Sequence, residues 1–191
     1  MKNRALLIIV LVGLPVLTIG QVIKDLPTDE NGMISYNGVV QVDSTTADEL
    51  YLRSKQLFVD VFKSANDVIQ MDDKESKIII GKGFSDMHIT VLATSTPIQM
   101  WYTLKIQSRD GRYKYDIYDI KFKSYESQYS QNTTTSAETV FDRESYYRKN
   151  GQSRDVYVKY KDAMTSSIRS LITTIKNSMN KGVNDKKSDD W

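Results

Sequence analysis

Residues 98–124, IQMWYTLKIQSRDGRYKYDIYDIKFKS, contain two long alternating runs separated by Asp110-Gly111. Aspartate followed by glycine between alternating apolar and polar residues is typical of a two-residue type I′ turn. The stretch therefore predicts an antiparallel hairpin, whose register follows by counting outward from the turn. The predicted pairs are Ile106 with Tyr115 and Leu104 with Ile117 on an apolar face, and Lys105 with Asp116 as an ion pair on the other.

The far end of this hairpin allows two interpretations. If the count continues without interruption, Trp101 lies opposite Ile120, and large apolar residues gather on the face of Lys105. A bulge near 118–119 would instead turn the later residues inward. We favour the uninterrupted count because neither strand has a glycine there, and a contiguous exposed apolar cluster marks an interaction surface. The expected binding surface comprises Trp101, Tyr118, Ile120, Phe122 and Lys105.

Upstream, a helix and a second hairpin are predicted. Thr46 and Glu49 form a capping box, and apolar residues at helical spacing follow, which predicts a helix over 46–65. Residues 68–83, VIQMDDKESKIIIGKG, place two β-prone runs around a short charged turn, which predicts an antiparallel hairpin. Gly81 and Gly83 indicate a bulge or a place where another backbone comes close.

Two further strands are expected. The first covers 33–42, and Asn37-Gly38 either breaks it into a hairpin or marks a bulge. The second covers 86–93 and ends in a turn at 95–97, because Pro97 cannot donate to a central ladder.

The C-terminal third is predicted to contain a connection and a helix. Residues 125–150 are rich in Ser, Thr and Gln, which favours a long connection with a short strand around 139–141. Apolar residues at 3–4 spacing predict a second helix over 153–180. The apolar stripes of both helices need a common surface. We therefore expect an α+β domain over 21–182, in which one antiparallel sheet packs both helices on one face, followed by a flexible tail at 183–191.

Short motifs between residues 25 and 123 carry a family resemblance. They are Asp29-x-x-Gly32, Tyr36, Asp48-Glu49-Leu50-Tyr51, the Asp72 turn with Gly81-x-Gly83, and Asp110-Gly111-Arg112-Tyr113. Together they resemble a secreted bacterial family known as domain of unknown function 4468, which has a TBP-like fold. The resemblance implies a signal peptide, an exported single domain and a sheet that grips helices. It implies no activity, and a fold alone does not supply one.

The N-terminus predicts the compartment. Lys2 and Arg4 precede an apolar run over 5–19, and Thr18 and Gly20 provide small residues before a cleavage site at Gln21. This is the pattern of a secretory signal over 1–20, and an uncleaved membrane anchor is the alternative. We expect a periplasmic or secreted protein that meets the membrane only through this segment.

Charge and cysteine content exclude several classes of function. The 191 residues include 26 basic and 24 acidic ones, and removal of 1–20 takes two basic residues, which leaves 24 of each. A neutral domain lacks the basic excess of a nucleic-acid-binding protein. The chain has no Cys, so disulfides, thiol nucleophiles and Cys-ligated metals are excluded.

No motif predicts catalysis, a metal or a cofactor. Gly81-Lys82-Gly83 lacks the spacing of a phosphate-binding loop, and Asp72, Asp73 and Glu75 lack that of a calcium loop. His88 is the single histidine and is interpreted as a structural or exposed residue.

The twelve tyrosines are the unusual feature of the composition. Aromatic residues on a sheet can stack on sugars or anchor a protein. We therefore expect a non-enzymatic module, monomer or weak homodimer, that binds an envelope protein or glycan through the open sheet face. The alternative is a carboxylate-based hydrolase of the cell envelope, with acidic residues on that sheet or beneath 125–150.

Overall fold

The structure is a computed structural model that describes residues 22–62, 68–91, 93–125 and 133–181. The predicted signal segment 1–20 and the tail 183–191 lie outside these residues. One antiparallel sheet has the strand order β1-β5-β4-β3-β2, and β6 pairs with β5. The strands are β1 Tyr36–Gln41, β2 Ile69–Asp73, β3 Ile78–Val91, β4 Thr94–Arg109, β5 Arg112–Ser124 and β6 Thr134–Ser136.

The two long helices pack on one face of this sheet, as predicted, and contact each other there. We call this the covered face and the opposite one the open face. Within the described residues, no helix is both long and apolar enough to cross a membrane. The helices are α1 Ala47–Val61, α2 Ala137–Val140, α3 Arg143–Tyr146 and α4 Asp155–Asn180.

The start of α1 is fixed by two side chains. The Thr46 hydroxyl accepts a hydrogen bond from the Glu49 N–H at 3.2 Å, which is one half of the predicted capping box. The Glu49 carboxylate binds Arg53 instead of returning to the cap. Asp110, in the β4–β5 turn, accepts from the Ala47 N–H at 2.7 Å, so this turn also stabilises the helix N-terminus.

The end of α1 explains the two glycines of β3. The helix ends at Val61 rather than at 65, and residues 63–67 lie outside the described part. A Cβ on Gly81 would lie 2.6 Å from a ring carbon of Phe58, and one on Gly83 would lie 1.9 Å from a ring carbon of Phe62. The glycines therefore make room for two phenylalanine rings, whereas the prediction was that another backbone would approach here. The bulge itself lies in β2, between Ile69 and Met71.

Three local predictions are wrong. Asn37-Gly38 neither breaks nor bulges β1, which pairs with β5 without a register shift, and Gly38 leaves space for the Tyr115 ring. Pro97 lies inside β4 and opposite His88, where β4 is not yet paired with β5, so the missing N–H is tolerated. Residues 139–141 are not a strand, because the Ser136 hydroxyl accepts from the Thr139 N–H and begins α2.

Candidate functional site

The open face is accessible because both long helices lie on the other side of the sheet. Gly81 and Gly83 face α1, so alternation along β3 directs Lys82 and Phe84 to the open face. Phe84 lies opposite Trp101 in β4, which in turn lies opposite Lys121 in β5. These strands thus bring an aromatic pair and lysines together.

Phe84 and Trp101 form an aromatic pair on this face. The ring centroids are 4.9 Å apart at an angle of 34°, and Phe84 is 43% exposed. The Trp101 indole N–H donates to the Gln99 side-chain oxygen at 3.2 Å, which orients the ring. The Lys123 ammonium lies 5.8 Å from the Trp101 ring centroid, a distance suited to a cation–π contact. The pair therefore presents a fixed apolar surface beside a cation.

Charges surround this pair. Asp119 forms ion pairs with Lys121 at 2.8 Å and with Lys82 at 3.6 Å. A shallow depression of about 250 Å³ is lined by Trp101 together with these charged residues and Lys123. With three lysines and one aspartate, its rim is positive. We call the Phe84–Trp101 pair with Lys82, Lys121 and Lys123 the aromatic–lysine platform.

The predicted apolar patch does not form, because the strand is bulged. Leu104 and Lys105 have the partners that counting predicts, but Tyr118 pairs with Thr103 and Lys121 pairs with Trp101. Asp119 adopts a left-handed backbone conformation (φ 53°), which accommodates the extra residue.

Beyond the bulge, Ile120 and Phe122 turn to the covered face and are buried. Phe122 packs edge-on against Phe141 and Tyr160 there, with centroid distances of 5.9 and 5.3 Å. Their assignment to the binding surface is therefore wrong.

The other three predicted surface residues do lie on the open face. Trp101 belongs to the platform, and Tyr118 lies on β5, opposite Thr103. Burial raises the pKa of Tyr118, and the neighbouring carboxylates Asp116 and Asp119 raise it further. Lys105 lies opposite Asp116 as predicted, but the ion pair of Asp116 is with Lys114, at 2.9 Å. Phe84 was not among the residues predicted for the binding surface, although alternation from Gly83 places it on this face.

The charged turn of the first hairpin is structural. Asp73 accepts hydrogen bonds from the N–H groups of Glu75 and Ser76 and so closes the turn. Asp72 pairs with Lys55 of α1 at 2.6 Å and accepts from the Tyr51 hydroxyl. The hydrogen bond from Lys55, followed by that from Tyr51, holds the pKa of Asp72 below its ordinary value. Both carboxylates are therefore committed to the fold.

His88 is exposed on β3. In the described ranges, no three His, Asp or Glu side chains are grouped so that they could hold a metal ion.

Comparison with known proteins identifies the fold. Residues 36–123 match the model of a family described as "Domain of unknown function (DUF4468) with TBP-like fold". Over these residues the chain is similar to that family. No curated protein matches the chain.

Two crystal structures are similar to the domain. A DUF4468 family protein from Bacteroides ovatus ATCC 8483 aligns with a TM-score of 0.68 and 12% identity over 84% of this chain and 94% of its own. A TBP-like protein from Parabacteroides distasonis ATCC 8503 aligns with a TM-score of 0.59 and 16% identity over 81% of this chain and 97% of its own. At these identities the similarity establishes a TBP-like fold.

The motifs that carried the family resemblance have structural roles. Asp29 accepts hydrogen bonds from the N–H groups of Asn31 and Met33, and Gly32 has a positive φ of 77°, so this motif is a turn. Asp110 caps α1, and Gly83 leaves space for a ring. These motifs therefore define the scaffold of the domain.

Proposed function

We propose that this protein is an exported, non-enzymatic binding module that holds a protein or glycan of the cell envelope against the open face of its sheet. The observation that carries this proposal is the aromatic–lysine platform. Rigid aromatic side chains bury a large area at a small entropic cost and often dominate binding energy. The three lysines favour a partner with negative groups, such as an acidic glycan or an acidic protein surface.

Export is part of this proposal. The apolar run over 5–19, preceded by Lys2 and Arg4, supports it. Fractionation of the producing cells and mass measurement of the mature N-terminus test it. Recovery outside the cytoplasm with Gln21 as first residue is the expected result, and a cytoplasmic protein that keeps Met1 contradicts it.

The alternative, a carboxylate-based hydrolase, gains no support from the described residues. A general acid needs a raised pKa, produced by an apolar site or a second carboxylate. The carboxyl groups with a resolved shift are Asp48, Asp72 and Asp73, and each has a lowered pKa. On the open face, Asp116 and Asp119 pair with lysines.

Tryptophan fluorescence tests the platform directly. The chain has two tryptophans, so Trp191→Phe leaves Trp101 as the sole reporter. Separated envelope polysaccharide and envelope protein fractions would be titrated against this variant. We expect one fraction to shift or quench the emission, and we expect Phe84→Ala to weaken that response at least about tenfold.

The matched control is Leu52→Ala, which removes an exposed apolar side chain from the outer side of α1. It should leave the response unchanged. The proposal fails if neither fraction alters Trp101 emission, or if Phe84→Ala and Leu52→Ala behave alike.

A further inference from the structure

A wide cleft lies away from the open face, between the N-terminal segment and α3. It has a volume of about 1060 Å³ and is lined by residues 22–25, by α3 and by the turn that precedes α4. Its basic lining residues are Lys24, Arg143, Arg148, Lys149 and Arg154.

The charge of this cleft is unbalanced. Five basic side chains face two carboxylates, Asp25 and Glu144, and Asp25 already pairs with Lys161 of α4 at 3.3 Å. In the part of the chain that the structure describes, none of the five basic side chains forms a salt bridge. Unpaired cations are therefore concentrated in one concavity.

Backbone hydrogen bonds hold the chain segment that carries several of the basic side chains. The Arg148 N–H donates to the Gln152 carbonyl at 2.7 Å, and the Gly151 N–H donates back to the Arg148 carbonyl at 2.8 Å. Gly151 has a φ of 82°, which closes this tight turn. The Arg154 N–H donates to the Tyr146 carbonyl at 2.9 Å. These hydrogen bonds fix the backbones of Arg148 and Arg154 at the cleft.

The N-terminal segment that lines the cleft is also held by backbone hydrogen bonds. Val22 forms a β-bridge with Asp142, and the Ile23 N–H donates to the Phe141 carbonyl at 3.1 Å. Lys24 follows directly, so its backbone is positioned before any ligand arrives. Sites that are organised in advance lose less entropy on binding.

We propose that this cleft binds two or more phosphate groups at once, carried either by one soluble molecule or by neighbouring lipid headgroups. Guanidinium groups match the geometry of phosphate oxygens through paired hydrogen bonds, and the cleft offers three of them. Its volume exceeds that of one phosphate ion, and its basic residues come from the N-terminal segment, from α3 and from the turn before α4, so more than one phosphate group can be accommodated.

Two sources can supply this chemistry: a soluble phosphorylated molecule and the phosphate headgroups of a membrane. The second source is relevant because residues 22–25 line the cleft and follow the apolar run 5–19 within a few positions. A chain that kept this run in a bilayer would hold the cleft close to the headgroups.

The experiment uses two probes on protein produced from the full-length sequence. Inorganic pyrophosphate is titrated by calorimetry, and binding to phosphatidylglycerol vesicles is compared with binding to phosphatidylcholine vesicles. The comparison between lipids removes the contribution of apolar insertion. The variant is Arg148→Gln with Arg154→Gln. The charge-matched control is Arg109→Gln with Lys176→Gln, at the end of β4 and in the C-terminal half of α4.

We expect the cleft variant to weaken binding of at least one probe by about tenfold or more, since charge-assisted hydrogen bonds are lost. The control should stay within about twofold, because exposed charges elsewhere contribute little at physiological salt. Binding of pyrophosphate identifies a soluble source, and binding of phosphatidylglycerol alone identifies a headgroup. The proposal is overturned if neither probe binds, or if the control weakens binding as much as the cleft variant.

Discussion

The covered and open faces of the sheet are made by the same strands but differ in their side chains and in how tightly these are packed. On the covered face, β3 presents glycines where α1 presents phenylalanine rings, and β5 presents Ile117, Ile120 and Phe122 to the core. On the open face, the same strands present lysines, aspartates and one aromatic pair. Packing leaves little freedom on the first face, whereas the second tolerates change and is therefore free to specialise in binding.

At Asp119, the alternation of buried and exposed residues along β5 shifts by one position. Before it, odd-numbered residues such as Tyr115 and Ile117 are buried, and after it even-numbered residues are. A single left-handed residue thus decides which apolar side chains reach the core. The contrast between the faces can be tested by mutations on each of them.

The largest effect is expected on the covered face. Leu57 of α1 and Leu171 of α4 are both buried, so Leu57→Ala or Leu171→Ala should lower the free energy of unfolding by about 2–5 kcal/mol. Leu52→Ala, which is 54% exposed on α1, should change it by less than about 0.5 kcal/mol. Urea unfolding at equilibrium measures all three variants. Equal losses at Leu57 and Leu52 would contradict the assignment of the core face.

A smaller loss is expected from Gly83→Ala. The added Cβ would lie 1.9 Å from the Phe62 ring, so the ring must move, at a cost of about 1–3 kcal/mol. The double variant with Phe62→Leu should recover part of this loss, because the shorter side chain leaves space. A double-mutant cycle by urea unfolding measures the coupling. Strict additivity would show that the two positions do not touch.

Tyr113 should make the protein sensitive to alkali. Its hydroxyl is buried without a hydrogen-bond partner among the described residues, and burial raises the pKa of Tyr113 from 10.0 to about 12. A raised folded pKa gives stability that is fully present below pH 10 and is lost as pH rises towards 12. By linkage the loss is about 1.4 kcal/mol at pH 11.

Urea unfolding at pH 8 and pH 11 checks this prediction. Tyr113→Phe should remove most of the alkaline loss, and at pH 8 it should not destabilise the fold, because no hydrogen bond is broken. Tyr118→Phe should remove less of the alkaline loss, because Tyr118 lies on the open face and is partly exposed. An unchanged alkaline slope in Tyr113→Phe would contradict the role of its burial.

The smallest effect is expected at Asp119 itself. Alanine disfavours a left-handed backbone, so Asp119→Ala should cost about 1 kcal/mol. Asp119→Gly and Asp119→Asn tolerate that conformation and should stay within about 0.5 kcal/mol, since exposed ion pairs with lysine contribute little. Urea unfolding ranks the three variants. A ranking in which glycine is the most harmful would show that charge, not backbone conformation, matters here.

The sequence predicted most of the architecture because its strongest signals are local. Asp110-Gly111 set the register up to Thr103, and apolar spacing placed α1 and α4 on one face. Counting failed beyond that point because it assumes one residue per position in each strand, and the left-handed residue was an aspartate rather than a glycine. Aspartate is among the few residues that accept this conformation, which is the signal that was available.

The candidate site was harder to predict than the fold. Trp101 was expected on the open face, but its partner Phe84 lies 17 positions away in another strand, and their contact depends on the β3–β4 register. The basic cleft combines residues near position 22 with others near 150, and no spacing rule joins segments so distant in the chain. Sites of this kind depend on tertiary packing.

The outer edge of β5 has a consequence for aggregation. An unpaired strand edge is a template for a second chain. β1 covers Arg112–Ile117 of this edge, and β6 covers Lys121–Lys123. One precedes α1 and the other follows β5 in the chain, so both must be in place before the edge is protected. Until then, the β4–β5 hairpin, which needs only local contacts, presents a tyrosine-rich strand whose lysines at 114, 121 and 123 hinder pairing with another copy.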